Sequence, residues 1–470
     1  MNQTTSFPAF EEYMKELIEE FKLPGVSLGL SRDGQLLFEQ SHGYYDVEHQ
    51  LPNTVDTVFG IGSITKSMTS VAIMQLQEAG KLSVHDPVVT YLPEFRTPND
   101  EWTKKITIHH FLTHTSGLPP LPTLVNALQR SLAADPTVIN EKEIEEIRKH
   151  KPVDTYEELM DLIASLEITL LGEPGTEFSY SNESYALLGA IIQRVSGQTY
   201  EEYLKKHLLE PAGMNNSVFF PAELEQLMEV APLYVRQAKD GVNEIVPAPI
   251  WLDAPAMRSA GFLKSTVRDM LKYMEIFRTG GMVGNKRILS RESVAEMVKA
   301  HIPIYKDSYY GYGLLVNPDY HGNTLIEHGG GLKGVAAWVY VIPEQGITGV
   351  VLSNLKGGPS KQLMLGLLNA IGERPVDASP VAYSEYPLRP DSLAEYVGEF
   401  RSGEGEKVSI QEGDGHLVTT IENRSFPLRC IEKDHFVFTR DRLDVWLRFF
   451  RNSSGRIDRI GFHYRQMMKV

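Results

Sequence analysis

The chain carries one cysteine, Cys430, among 470 residues, so neither an intramolecular disulfide nor a multi-cysteine metal site can form. Basic charge is also scarce. Against 61 Asp and Glu stand 46 Lys and Arg, a formal net charge of −15, which argues against nucleic-acid and anionic-membrane partners. No apolar run approaches the roughly 18 residues of a membrane span. Residues 1–22 contain Glu11, Glu12, Glu16, Glu19 and Glu20 but no basic leader or apolar segment, so a cytoplasmic location is expected. The phosphate-binding Gly-x-x-x-x-Gly-Lys-Ser/Thr loop is missing as well. His109, His110 and His114 lack His-Glu-x-x-His spacing and read as structural, so no metal is expected.

What remains is an ordinary globular composition, 42% hydrophobic and 23% charged, in a chain long enough for one large and one small unit. The charge is unevenly placed. Residues 391–470 hold 13 acidic and 13 basic side chains, so the whole excess lies in 1–390. A stretch with Pro375, Pro380, Pro387 and Pro390 separates the two parts and reads as a linker over 375–390.

Phe10, Tyr13, Met14, Leu17, Ile18 and Phe21 recur at helical spacing before Pro24-Gly25. Val26 to Leu30 and Leu36 to Phe38 form a predicted hairpin around Ser31–Gln35, and Val335 to Ile342 with Ile347 to Leu352 a second. The segment 361–371 reads as a helix, and the interior from about 64 to 300 is mostly helical in pattern. The run Glu141 to Lys151 reads as a solvated helical face. These patterns predict an α+β fold in residues 1–374, with an antiparallel sheet built from both ends, flanking helices and a helical subdomain. Beyond the linker, short runs at 408–411, 417–421, 436–438, 445–450 and 457–464 predict a small all-β barrel over 391–470. Residues 1–390 are expected to fold as a fragment.

Ser-x-x-Lys occurs twice. Ser353 leaves a strand, and Lys356 runs into Gly357-Gly358-Pro359, so that pair does not share a helical turn. Ser63 and Lys66 instead open the apolar helix pattern that ends at Gly80, which places hydroxyl and amine one turn apart on one face. There the Ser63 N–H has no intrahelical partner, and the helix dipole favours an oxyanion; the alternative is that Ser63 only caps the helix. Two more segments stand out: Tyr180-Ser181-Asn182, the one Tyr-x-Asn in the chain, and His328-Gly329-Gly330-Gly331 before the 335–342 strand. With the latter no helix follows, so the glycines mark a sheet edge that something approaches closely rather than a nucleotide loop.

In this order and spacing the three segments strongly resemble the penicillin-recognising serine hydrolases, which include class C β-lactamases, D,D-carboxypeptidases, D-aminopeptidases and related esterases. Thr107 to Leu118 (TIHHFLTHTSGL) and Ser259 to Met270 (SAGFLKSTVRDM) extend the likeness over residues 8–375. The resemblance implies a β-lactamase-like fold, Ser63 as acylated nucleophile, Lys66 as its proton acceptor or relay, and Tyr180 in the proton shuttle. It further implies substrate binding by Asn182, His328 and Gly330, and an oxyanion hole from the N–H groups of Ser63 and Gly331. His328 stands where the family usually has Lys. A mostly neutral imidazole is a poorer anchor for a substrate carboxylate, which favours neutral or amine-bearing esters, amides or short D-amino-acid peptides. Phe262 stands where Gly is commoner, and either narrows the cleft or packs in the core. Leu393 to Phe400 (LAEYVGEF) resembles the opening of the lipocalin-like domain appended to many such hydrolases. No cofactor is implied; the expected partner is a small-molecule or short-peptide substrate, and a homo-oligomer is compatible with the family. The alternatives are a β-lactamase or D,D-carboxypeptidase acting on penicillins or peptidoglycan peptides, and a catalytically idle sensor or scaffold.

Overall fold

Proline at the first turn of helix α1 (Pro8–Phe21) loses no intrahelical hydrogen bond, and the helix turns Phe10, Tyr13, Met14 and Leu17 inward. The computed structural model describes residues 5–137, 145, 148–239 and 242–470. Strands β1 (Val26–Arg32) and β2 (Gln35–His42) follow as the predicted hairpin, turning through Asp33 and Gly34 with φ of 52° and 76°. The helices that matter for the site are α2 (Thr65–Glu78), α3 (Asn182–Ser196) and α4 (Val267–Thr279). The chain then returns to the sheet as β3 (Ile302–Tyr305), β4 (Ser308–Tyr310), β5 (Leu315–Tyr320), β6 (Asn323–Leu332), β7 (Val335–Ile342) and β8 (Ile347–Ser353), before α5 (Ser360–Ile371).

The order β3-β4-β5-β6-β7-β8-β1-β2 is antiparallel throughout and joins both ends of this part of the chain. Side chains alternate across it. Val339 and Val341 of β7 enter a large core with α2, α3 and α4, whereas Tyr340 and Ile342 enter a second core with α1 and α5. Burial on both faces explains why the central strands read as continuous apolar runs. Two edge-side strands escape the sequence pattern because proline interrupts them: Pro303 lies on the edge strand β3, and Pro318 falls in a register shift of β5. The interior is also less uniformly helical than its pattern, since Leu233–Lys239 pairs with Val242–Ala248 as a hairpin. The charge run 141–151 lies mostly outside the described residues. Among the described residues no helix is long and apolar enough to cross a membrane.

The C-terminal region is a nearly closed antiparallel barrel of nine strands: β9 (Gly398–Arg401), β10 (Lys407–Gly413), β11 (His416–Ile421), β12 (Arg424–Pro427), β13 (Arg429–Glu432), β14 (His435–Arg440), β15 (Leu443–Arg451), β16 (Ile457–Phe462) and β17 (Arg465–Lys469). Phe400, Phe436, Phe438, Phe449, Phe462 and Met467 fill its interior. The sequence pattern runs 457–464 as one strand, but the chain reverses at His463 and Tyr464, both in left-handed backbone (φ 46° and 67°).

That reversal packs against the larger body. Trp446 and Tyr464 join a cluster with Tyr180, Ile304, Tyr310 and Leu315, and Trp446 stacks on Tyr305 with ring centroids 5.0 Å apart. Arg459 donates to the Leu171 carbonyl (2.8 Å) and pairs with Glu177 (3.2 Å). These shared contacts give the 1–390 fragment, expected to fold by itself, an apolar face that the barrel covers in the whole chain. Such a fragment is expected to bind a hydrophobic dye and to melt at least about 5 °C below the whole chain. A dye-silent fragment with an unshifted melting point in calorimetry would show that the barrel contributes nothing to the body.

Candidate active site

A short 3-10 turn, Gly62–Ile64, leads into α2, and Ser63 sits in that turn rather than capping the helix, whose N-cap makes no side-chain hydrogen bond. One turn later Lys66 is fully buried. Its Nζ lies 3.3 Å from Ser63 Oγ, 2.9 Å from Asn182 Oδ1 and 2.6 Å from the carbonyl of Ala260. Burial drives the Lys66 pKa well below its ordinary value, and nearby Arg465 drives it further, while Glu404 and Glu183 oppose.

Asn182 begins α3, which Ser181 caps by accepting the N–H of Ser184. Tyr180 precedes the cap in extended chain, and its N–H donates to the carbonyl of Tyr464 at 2.8 Å. Lys66 Nζ lies 4.8 Å and the Arg465 guanidinium 5.0 Å from the Tyr180 ring centroid. Burial raises the Tyr180 hydroxyl above its ordinary value, although Ser63 and Arg465 pull the other way.

The three glycines of β6 have three different neighbours. A Cβ on Gly330 would lie 1.9 Å from the Ile61 carbonyl oxygen and one on Gly329 would strike the Trp338 ring, whereas Gly331 faces open space. Gly62, at φ 52°, would place a Cβ 2.6 Å from the Gly331 nitrogen. The turn carrying Ser63 and the strand carrying Gly331 therefore meet backbone to backbone. This is the close approach inferred for that glycine run. Gly330 itself serves this backbone packing.

His328 is buried and turned away from the open cleft. Its Nδ1–H donates to the Gly329 carbonyl (2.6 Å), so Nε2 accepts from the Tyr310 hydroxyl (3.1 Å). At the other end His114 Nδ1 accepts the Ser181 N–H (3.1 Å), which leaves its Nε2–H to donate to the Tyr310 oxygen (3.1 Å). Both ends fix the same polarity: Ser181 to His114 to Tyr310 to His328 to Gly329. Desolvation lowers His328 to about 3 and pushes His114 well below its ordinary range, so both are neutral. His114 holds left-handed backbone at φ 58°, a strained conformation supported by this chain.

A cleft of about 2190 Å³ opens between the body and the barrel. Leu124, Leu128, Met257 and Phe262 line its apolar side, and Phe262, 4% exposed, also belongs to the main core. Ser63, Asn182 and Gly331 line the polar side together with two barrel residues, Glu404 and Arg465. Glu404 accepts from Asn182 Nδ2 (3.3 Å) and from the Arg465 guanidinium. Of these contacts, sequence reasoning missed the Ala260 carbonyl, the His114–Tyr310 relay and the Glu404–Arg465 pair. The one available signal was the pair of glycines flanking Glu404. Tyr310→Phe is expected to orphan two buried nitrogens at a cost of about 1–3 kcal/mol each. Urea unfolding checks this, and a loss below about 0.5 kcal/mol would contradict the relay.

The Beta-lactamase family matches residues 10–372. The chain is 29% identical over 308 residues to the Bacillus subtilis (strain 168) protein named "Putative penicillin-binding protein PbpX", an alignment covering 65% of each chain, so it spans under two thirds of that curated relative. A solved octameric penicillin-binding protein homologue from Pyrococcus abyssi is 28% identical with a TM-score of 0.69, covering 99% of this chain and all of the other, barrel included. A D-stereospecific amidohydrolase from Streptomyces sp. shares the fold at 22% identity and a TM-score of 0.61, over 77% of this chain and 98% of its own. By the extent of the family match and the serine-centred cleft beneath it, the chain belongs to the Beta-lactamase family.

Proposed function

We propose that the protein is a serine hydrolase that cleaves small amides or esters through an acyl-Ser63 intermediate. The observation that carries this reading is the partner set of Lys66. Asn182 Oδ1 and the Ala260 carbonyl only accept, so a neutral amine spends both N–H groups on them and turns its lone pair to the Ser63 hydroxyl. Desolvation favours that neutral form. Tyr180, whose phenol burial holds in the protonated state, fits a proton relay and not the first base.

In this reading Ser63 Oγ attacks the substrate carbonyl as its proton passes to Lys66 Nζ. The oxyanion is held by the N–H groups of Ser63 and Gly331, whose backbones meet at Gly62. Collapse returns the proton to the departing amine or alcohol through Lys66 and Tyr180, and water then releases the acyl group by the same route. His328 orders the relay behind Tyr180 and carries no charge for a substrate carboxylate, which supports neutral or amine-bearing substrates over penicillins.

Intact-mass analysis after fluorophosphonate treatment is expected to show one adduct on the native chain and none on Ser63→Ala; full labelling of the variant would refute the nucleophile. Because the base must be unprotonated, kcat/KM for a p-nitrophenyl ester should rise with pH through a limb set well below the ordinary lysine range. Lys66→Arg, which stays charged, should lower kcat/KM about 10²–10⁴-fold. An unchanged rate would remove Lys66 from the reaction.

A further inference from the structure

Glu404 is set at the tip of a turn that the barrel inserts into the cleft. Between β9 and β10 the chain closes on itself, with Ser402 N–H donating to the Glu406 carbonyl (3.0 Å) and Gly405 N–H to the Ser402 carbonyl (3.1 Å). Gly403 allows the turn to sit against the body, because a Cβ there would lie 2.1 Å from the Pro120 carbonyl oxygen. The carboxylate is then held from two sides. Arg465, stacked on Tyr180, binds it with two nitrogens, and Asn182 donates to it while accepting from Lys66. These contacts use three of its roughly four acceptor directions and leave one for the cleft.

The reversal that aims Arg465 is costly. His463 and Tyr464 take left-handed backbone where Asn-Gly would be relaxed, yet the Tyr464 carbonyl receives the Tyr180 N–H and His463 Nδ1 pairs with Glu406 at 3.0 Å. The barrel therefore brings two carboxylates, Glu404 and Glu406, against one guanidinium. From the body, Lys66 is driven toward its neutral form, His328 is neutral, and Glu183 lies buried beneath Asn182. A substrate carboxylate at Asn182 would meet Glu404 directly. An ammonium there would find its free lone pair.

We propose that Glu404 is a specificity-determining residue that receives the free α-ammonium of the acyl group, making the substrates aminoacyl amides or esters with an unblocked amine. The spacing agrees, since only the Asn182 side chain separates Glu404 from the Ser63–Lys66 pair. The apolar wall of Leu124, Leu128 and Met257 is then left for the amino-acid side chain. This inference rests on the acyl-Ser63 reading and narrows it.

The test uses the full chain and compares D- and L-alanine p-nitroanilide with their N-acetyl forms. For the native protein kcat/KM should favour the free amine. Glu404→Gln should lower the ratio of free-amine to N-acetyl kcat/KM at least tenfold, chiefly through KM, and Glu404→Asp should retain more of the ratio. A merely structural role would lower both rates together and leave the ratio within twofold, which overturns the proposal, as would a native preference for the N-acetyl form. Fluorophosphonate labelling of Ser63 monitors folding of each variant. Where Ser63 labels but neither anilide is cleaved or protects it, the ammonium site is refuted alone; where the native Ser63 does not label, the acyl-serine reading fails first and the inference with it.

Discussion

A lysine amine with no exposure to water governs how this molecule is built. Removing Lys66 from solvent leaves a group with strong hydrogen-bonding demand, and an unmatched buried amine is expensive in either protonation state. Its partners are Ser63, one helical turn away, and two groups from distant parts of the chain, Asn182 at the start of α3 and the Ala260 carbonyl ahead of α4. Satisfying that one nitrogen fixes the mutual placement of α2 and α3 and of the turn preceding α4. The apolar core around them supplies the low-dielectric setting that shifts the amine toward neutrality.

The same network continues through Asn182 into the barrel. Asn182 accepts from Lys66 and donates to Glu404, Arg465 also donates to Glu404, and both Arg465 and Lys66 lie over the ring of Tyr180. The loop is closed, and two of its members belong to the C-terminal region. A strained reversal at His463 and Tyr464 makes sense in that setting, because Tyr464 supports Tyr180 through its carbonyl while its ring packs among the same aromatic residues. Strain on the barrel side is offset by hydrogen bonds on the body side.

Sequence made one layer of this legible and not the next. Ser63 and Lys66 are one helical turn apart, which local periodicity reports, whereas Tyr180 and Asn182, on either side of Ser181, are marked by the resemblance of their Tyr-x-Asn to the family. The hairpins of the central sheet are equally local. Ala260 contributes a carbonyl, which no residue type announces. Glu404 and Arg465 reach Asn182 and Tyr180 from more than 200 positions along the chain, through a docking surface that leaves no periodic trace. Even the β16–β17 turn is hidden, because His-Tyr carries none of the Gly, Asn or Pro punctuation that marks reversals. The prolines of β3 and β5 mislead in the opposite direction, interrupting strands whose edge position and register shift tolerate them.

Net charge was a poor guide to the site for a related reason. The excess of −15 lies entirely within residues 1–390, and residues 391–470 balance to zero. Yet the Lys66 amine and the buried histidines 114 and 328 behind it are held toward neutrality by desolvation, and the ion pair next to Asn182, Glu404 with Arg465, is supplied by the balanced barrel. Burial silences titratable groups where they are packed, whereas the Glu404 carboxylate arrives on a turn projecting from a neighbouring unit, already paired with Arg465. The field a substrate meets beside Asn182 is thus set by a charge pair brought in by the unit whose overall charge is nil.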